Sequence, residues 1–417
     1  MKYIKNKDAF IRIEYDGIYV MNSRYQTKTK ITDKYEQKIF IDAMNGKDVF
    51  GDQLPVWLNK HFLDEQYHCN SSISGFTSNP IYMTLGITSG CNYQCKHCGN
   101  DSTCSKNTDL TPDEIYELID QMVDFGLLKL NFTGGEPLLN PELINYIMYA
   151  KGQIPRITLT TNGSLVVSEN ALKLKQAGLN MAKISIDGAE EFHDYFRGVN
   201  GAYCKAINAI RCFQDAGVEV RVQSTLTNKN TESIIELMRI LAELGIPHQT
   251  IVPVCPIGRA GKNMMLSPPE YKKYIYKVYE QVKTLMSEGY KTNFQIRPVF
   301  GASELFDGLK TSFETLSMKY SCEALLNTME IQPNGDVVAC SFLEEKIGNI
   351  RNNTISEIWN SIEANDLRDL FLGSKRNKDC VGCKKDSLCN GGCLANRYYF
   401  NDFQHADPYC FYHDKED

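Results

Sequence analysis

The chain has 417 residues, 42% of them hydrophobic, and a formal net charge of −6. That length allows two or three domains with sizeable cores, and the acidic balance offers no global basic field for nucleic acid or anionic lipid. No run approaches the roughly eighteen apolar residues of a membrane span, and the opening Met1-Lys2-Tyr3-Ile4-Lys5-Asn6-Lys7-Asp8 lacks the apolar core of a signal peptide. The expectation is a cytoplasmic protein with no nucleic-acid or membrane partner.

In chain order, residues 1–78 begin with Phe10-Ile11-Arg12-Ile13-Glu14-Tyr15-Asp16-Gly17-Ile18-Tyr19-Val20-Met21, which predicts two short strands around an Asp-Gly turn. A helix from about Asp33 to Met44 follows, closed by Asn45-Gly46. This is the pattern of a small winged-helix-like module, and equally that of an extension packed on the next domain.

Residues 79–310 alternate short β-rich runs with amphipathic helical runs. Strands are predicted at 81–87, 128–132, 156–160, 182–186, 218–222 and 248–252, with helices near 140–152, 168–178, 201–216 and 231–245 between them. Thr111-Pro112-Asp113-Glu114 opens a further helix, with a hydroxyl cap, proline in the first turn and acids at the positive dipole end. The alternation predicts a parallel sheet with right-handed crossovers. Six units fall short of the eight that close a full barrel. The expected fold is therefore α/β, a partial (β/α)6 TIM-like barrel with reactive groups at the carboxyl ends of its strands. Beyond residue 310 the alternation stops. Residues 311–417 are rich in Cys, Gly, Asn and Asp, a composition that needs staples in place of a large core.

Fifteen cysteines require an account, and in a reducing compartment metal or cluster ligation serves better than a disulfide framework. Cys91, Cys95 and Cys98 lie where the first strand ends, in Gly90-Cys91-Asn92-Tyr93-Gln94-Cys95-Lys96-His97-Cys98. Three thiolates on one tight loop suit three irons of a [4Fe–4S] cube and leave the fourth iron open. A structural zinc would need a fourth ligand. The second strand runs into Thr133-Gly134-Gly135-Glu136-Pro137, where two glycines let backbone approach a ligand and Glu136 can accept from an ammonium group. In the tail come Cys322, Gly335 and Cys340, then Cys380, Cys383, Cys389 and Cys393 separated by two, five and three residues, and finally Cys410. A zinc ribbon made from Cys380/Cys383 and Cys389/Cys393 is the competing reading of that tail. Among the scattered Cys69, Cys104, Cys204, Cys212 and Cys255, small buried hydrophobes are the default.

The cysteine loop followed by the Gly-Gly-Glu strand end resembles the radical S-adenosylmethionine (SAM) enzymes. The resemblance implies that the open iron chelates the amino and carboxylate groups of the cofactor's methionine part. Gly134, Gly135 and Glu136 would receive the ammonium, and His97 would border the adenine. Thr160-Thr161-Asn162-Gly163 and Ser185-Ile186-Asp187-Gly188 match the third and fourth strand ends, making Ser185 a candidate ribose contact. Arg197, in Phe196-Arg197-Gly198, pairs either with the cofactor carboxylate or in an ordinary surface salt bridge. The tail resembles the SPASM extension of peptide-modifying members, which carries two auxiliary [4Fe–4S] clusters. Cys322, Cys340 and Cys393 would hold the first, and Cys380, Cys383, Cys389 and Cys410 the second. Two departures stand out. Leu325, Leu326, Asn327 and Thr328 supply no thiol after Cys322, which leaves an iron of the first auxiliary cluster as a candidate open site. Ser341 stands where sulfatase-maturing relatives carry an aspartate base, which disfavours formylglycine formation.

The function implied is maturation of a ribosomally made precursor peptide. A 5′-deoxyadenosyl radical would abstract hydrogen, and a carbon–carbon or thioether cross-link would form. The N-terminal module resembles the leader-recognition element of such maturases, to which the leader adds as an extra strand. The auxiliary clusters would carry away the second electron, and an external one-electron donor such as flavodoxin or ferredoxin would supply the first. Three alternatives stay open. One is an epimerase in which Cys255, after the sixth strand, returns hydrogen to the substrate radical. Another is a small-molecule or cofactor-pathway oxidase with the same tail. The third is a non-catalytic iron–sulfur electron-transfer protein, in which Gly134-Gly135-Glu136 would have no purpose.

Overall fold

The computed structural model describes residues 9–14, 17–22, 27–44, 77–103, 108–296, 322–372, 377–383, 389, 391–401 and 403–411. Cys69, Cys104, Asp16 of the first turn, the Asn45-Gly46 helix stop and the expected boundary near residue 310 lie outside them.

The six expected strands all form, as β4 (Tyr82–Gly86), β5 (Lys129–Thr133), β6 (Arg156–Thr161), β7 (Met181–Ser185), β8 (Glu219–Leu226) and β9 (His248–Pro253). They are adjacent, in chain order and parallel. The helix Pro112–Asp124 starts as its sequence predicts. Thr111 Oγ1 accepts from the Glu114 amide at 3.3 Å, and the Glu114 carboxylate accepts from the Thr111 amide at 2.8 Å.

The sheet is wider than six strands. β10 (Asn293–Ile296) adds parallel to β9 after the long helix Pro268–Ser287. On the other side β11 (Thr328–Ile331), from the cysteine-rich tail, pairs parallel with β4, placing Glu330 beside Thr84. β12 (Asp336–Val338) and β13 (Lys346–Asn349) then continue it antiparallel. Tail and barrel thus share one ten-stranded sheet. Gly335, with φ of 83°, makes the turn from β11 to β12, and the left-handed backbone there is why glycine stands at that place between Cys322 and Cys340. An exposed bidentate pair adds to this joint: Arg351 Nε and Nη2 meet the two Glu114 carboxylate oxygens at 2.5 and 3.0 Å.

The outer faces of the strands are buried under helices, but the inner faces are polar. Along β8, Val220, Val222, Ser224 and Leu226 are buried, while Arg221, Gln223 and Thr225 point into a cavity. A closed eight-stranded barrel fills its centre with layers of bulky apolar side chains. Here Lys183, Arg221, Gln223, Thr250, Gln295 and Glu330 line a cavity of about 620 Å³ instead.

At the N-terminus β1 (Ala9–Glu14), β2 (Gly17–Asn22) and β3 (Thr27–Ile31) form an antiparallel sheet, followed by the helix Lys34–Met44. The third strand, Thr27-Lys28-Thr29-Lys30-Ile31, carries no apolar run and was not legible as one. Tyr19 and Met21 pack on Ile81 and Leu128 at the foot of the barrel, and Glu14 accepts from the Ser78 amide at 2.9 Å. Among the described residues no helix is long and apolar enough to cross a membrane.

Candidate functional site

The cysteine loop leaves the end of β4 and is held from three sides. Cys91 N–H donates to Thr103 O at 2.7 Å, and Lys96 N–H to Phe196 O at 2.9 Å. Arg259, after β9, donates from Nε to Cys95 O at 2.8 Å and from Nη1 to Asp101 Oδ1 at 2.8 Å, while its own amide bonds Cys98 O at 2.9 Å. Sequence reasoning missed Arg259. A lone arginine after a strand carries no signal of a backbone clamp.

Gly134 and Gly135 are required by the same loop. Gly135 N–H donates to Thr88 O at 2.7 Å and Glu136 N–H to Gly90 O at 2.8 Å. A Cβ on Gly135 would sit 2.2 Å from Gly90 O, and one on Gly134, whose φ is 151°, 2.3 Å from Thr88 O. Bare backbone is thus pressed against the segment entering Cys91, and both glycines also line the cavity.

Glu136 differs from expectation. Its carboxylate is fully buried and accepts from Thr161 Oγ1 at 2.6 Å, the Asn162 amide at 2.8 Å and the Leu138 amide at 3.1 Å. Three donors of the chain already engage it, and it does not line the cavity. The side chain braces the ends of β5 and β6, while Gly134 and Gly135 of the same segment line the cavity.

Arg197 is not a surface residue. The helix Glu190–Arg197, which sequence reasoning did not anticipate, buries the guanidinium to 8% exposure. Nη2 lies 2.7 Å from Asp187 Oδ2 and Nη1 3.7 Å from Cys95 Sγ. Burial alone opposes the charge, but Asp187 and Cys95 outweigh it and hold the pKa above its ordinary value. Asp187, fully buried at the end of β7, accepts from the Thr225 amide at 2.8 Å through Oδ1. Its Oδ2 lies 3.6 Å from His97 Nε2. His97 stacks on Phe196 with ring centroids 4.2 Å apart, and burial lowers its pKa to about 4, so the ring is neutral. Among the described residues, His97 Nδ1 and Arg197 Nε are buried with no hydrogen-bond partner. Ser185, His97 and Arg197 all line the cavity with Cys91, Cys95 and Cys98.

A second set of thiols, Cys322, Cys340 and Cys393, lines the same cavity, with Cys255, which is 5% exposed. Cys380, Cys389 and Cys410 neighbour one another: burial first, and then charge on Cys410 and Cys380, raises the pKa of Cys389. Glu330 faces the cavity from β11, with Ser341 Oγ 3.4 Å from its Oε1, and burial raises its pKa.

Family models for the radical SAM superfamily and for the SPASM iron–sulfur cluster-binding domain match residues 85–244 and 322–385. An AdoMet-dependent heme synthase of Methanosarcina barkeri is 30% identical over 349 residues, which cover 81% of this chain and 97% of that protein. The chain belongs to the radical SAM superfamily. A mycofactocin maturase of Mycolicibacterium smegmatis is 25% identical, with 79% of this chain and 82% of that one covered. In fold, the chain is similar to Streptococcus suis SuiB in the crystal structure bound to precursor peptide SuiA. The TM-score is 0.72 at 16% identity, covering 97% of this chain and 98% of SuiB. This radical SAM enzyme uses a [4Fe–4S] cluster and SAM, and its SPASM domain carries auxiliary iron–sulfur clusters.

The residues present fit those groups. Partnerless buried nitrogens on His97 and Arg197, a bare Gly-Gly backbone and three thiols converge on one end of the cavity. Among the described residues no three His, Cys, Asp or Glu side chains group closely enough to grip a single metal ion.

Proposed function

We propose that this chain oxidatively matures a ribosomally made precursor peptide, joining two of its residues by a carbon–carbon or thioether bond. Cys91, Cys95 and Cys98 would hold the [4Fe–4S] cluster. Gly134 and Gly135 backbone would receive the SAM ammonium, with Arg197 at its carboxylate, Ser185 at the ribose and His97 beside the adenine. When bound, cluster and SAM together supply a 5′-deoxyadenosyl radical able to take hydrogen from an unactivated carbon. The chain's residues do the rest. Asp187 fixes the Arg197 guanidinium and orients His97. The barrel walls enclose the substrate, and Lys183, Arg221 and Glu330 set its orientation by charge.

Cys322, Cys340 and Cys393 would hold one auxiliary cluster, and Cys380, Cys383, Cys389 and Cys410 the other. Both sets of thiols line one cavity, so an auxiliary cluster held there would give an electron left on the substrate after hydrogen removal an acceptor within the same enclosure. That arrangement favours a net oxidation over redox-neutral epimerisation.

The observation that carries the peptide reading is the N-terminal sheet and helix. About a fifth of this chain falls outside the match to the heme synthase, whereas the likeness in fold to SuiB spans 97% of it. Among the described residues β3 pairs only with β2, so its outer edge offers backbone groups for an added strand. Residues 1–78 would then read the leader, and a flavodoxin- or ferredoxin-like donor would reduce the cluster. Co-expression with a candidate precursor peptide tests this: a peptide that is a substrate should lose two hydrogens by mass.

A second reading, a cofactor-pathway oxidase, is favoured by 30% identity across nearly the whole heme synthase. The inward cations Lys183 and Arg221 suit a carboxylate-bearing substrate. Unaltered peptide mass together with oxidation of such a substrate would select it.

A further inference from the structure

Cys255 stands in the loop after β9, in the wall of the cavity. The loop after β9 is stitched at both ends: Val254 N–H donates to Leu226 O at 2.8 Å and Arg259 N–H to Cys98 O at 2.9 Å. Between them, Pro256 holds the residue before it extended, and Ile257 N–H returns to Cys255 O at 2.9 Å. The thiol is thereby fixed in the wall of the cavity. It is buried in the same apolar cluster against which Cys322, Cys340 and Cys393 pack, and all four line that cavity.

The three tail thiols come from separate elements. Cys322 precedes β11 and Cys340 follows β12. Cys393 stands at the start of the helix Leu394–Asn401, its amide donating to Asp407 Oδ2 at 2.8 Å. Three thiolates leave one iron of a cubane without a protein ligand. The residues after Cys322, Leu325 to Thr328, contain no fourth thiol.

We propose that Cys255 of the barrel loop supplies the fourth ligand of the first auxiliary cluster, together with Cys322, Cys340 and Cys393. This rests on the reading above, in which those three cysteines hold a cluster. On coordination the thiol releases its proton to solvent and the thiolate binds iron, with no change of oxidation state. Two consequences follow. A cluster with four thiolates has no vacancy for substrate and serves as an electron relay at the end of the cavity. A coordinated sulfur has no hydrogen to return, so Cys255 is not the donor an epimerase needs. The barrel and the tail are then joined by an iron–sulfur bridge as well as by the β4–β11 pairing.

The test uses the full chain reconstituted anaerobically, with Cys91, Cys95 and Cys98 replaced by alanine so that the tail clusters alone are seen. In that background, Cys255→Ala and Cys255→Ser are compared with the parent by iron and sulfide content and by electron paramagnetic resonance. Cys212→Ala, another buried thiol, is the control. The proposal expects altered g values or conversion toward a [3Fe–4S] signal in both Cys255 variants. Iron loss to a chelator should be at least about tenfold faster, since even outer-shell partners of metal ligands are worth about 10- to 100-fold in affinity. The control should match the parent. Unchanged spectra and iron release in both Cys255 variants would overturn the assignment. Absence of iron in the parent tail would instead overturn the auxiliary-cluster reading itself.

Discussion

Asp187→Asn would strip the charge facing Arg197 while keeping the side chain's shape. The backbone around residue 187 has anchors that the change does not touch: its amide donates to His193 Nδ1 at 3.1 Å and its carbonyl accepts from Asn230 Nδ2 at 2.8 Å. An asparagine Oδ1 can also keep the Thr225 amide bond. At the Oδ2 position, however, an amide NH2 would stand 2.7 Å from Arg197 Nη2, donor against donor. Breaking a buried ion pair from one side costs about 3–5 kcal/mol, because the remaining charge loses both water and partner. If about 3 kcal/mol of that falls on the cofactor-competent arrangement, SAM affinity drops on the order of 100-fold. Equilibrium binding of SAM to anaerobically reconstituted protein, beside its melting temperature and iron content, reads this out. The double variant Asp187→Asn with Arg197→Met buries no lone charge, so it should melt closer to wild type while binding SAM as weakly as the single variant. Wild-type SAM affinity and melting in Asp187→Asn would refute the claim that Asp187 sets Arg197 for the cofactor.

Three further outcomes follow from the same geometry. Gly135→Ala drives a methyl to 2.2 Å from Gly90 O and should abolish SAM binding. Gly152→Ala, with nothing within 4 Å, should cost only the roughly 1–2 kcal/mol of a left-handed backbone and leave binding intact, as isothermal titration would show. Arg259→Ala removes the donors to Cys95 O and Asp101, so iron should leave the loop cluster several-fold faster under chelator, read by absorbance, with the tail clusters unaffected. Glu114 has its pKa lowered to about 2 by the Arg351 hydrogen bonds. A depressed carboxylate stabilises above its unfolded pKa and loses that stability as pH falls toward about 2. The pair is exposed, so solvent screening limits it to about 0.2–1 kcal/mol. Glu114→Gln should therefore lower the melting temperature slightly at pH 7 and by a smaller amount at pH 2.5.

The strands that position the site were legible because each β-rich run is punctuated by a helix of clear period, and Thr111-Pro112-Asp113-Glu114 states a helix start outright. β10 escaped notice because four residues, Asn293-Phe294-Gln295-Ile296, carry too little alternation to register. β11 escaped because its partner β4 lies more than two hundred residues earlier, a pairing that no local pattern encodes. In the site, the cysteine spacing and the Gly-Gly-Glu run could be read because their chemistry is dense and local. Arg197 could be noticed but not placed: whether an arginine is at the surface or buried depends on Asp187, ten residues upstream on another element. The Glu136 carboxylate was assigned to a ligand because sequence shows its chemistry but not that Thr161, Asn162 and Leu138 reach it first. The polar barrel interior follows from alternation along β8, which a strand facing water would also show.

The most direct measurement is formation of 5′-deoxyadenosine when chemically reduced, anaerobically reconstituted protein is mixed with SAM. Wild type should produce it, and a variant with Cys91, Cys95 and Cys98 all changed to alanine should produce none while retaining the iron of its tail. Undiminished 5′-deoxyadenosine from that variant would contradict the assignment of these three thiols to the radical-generating cluster.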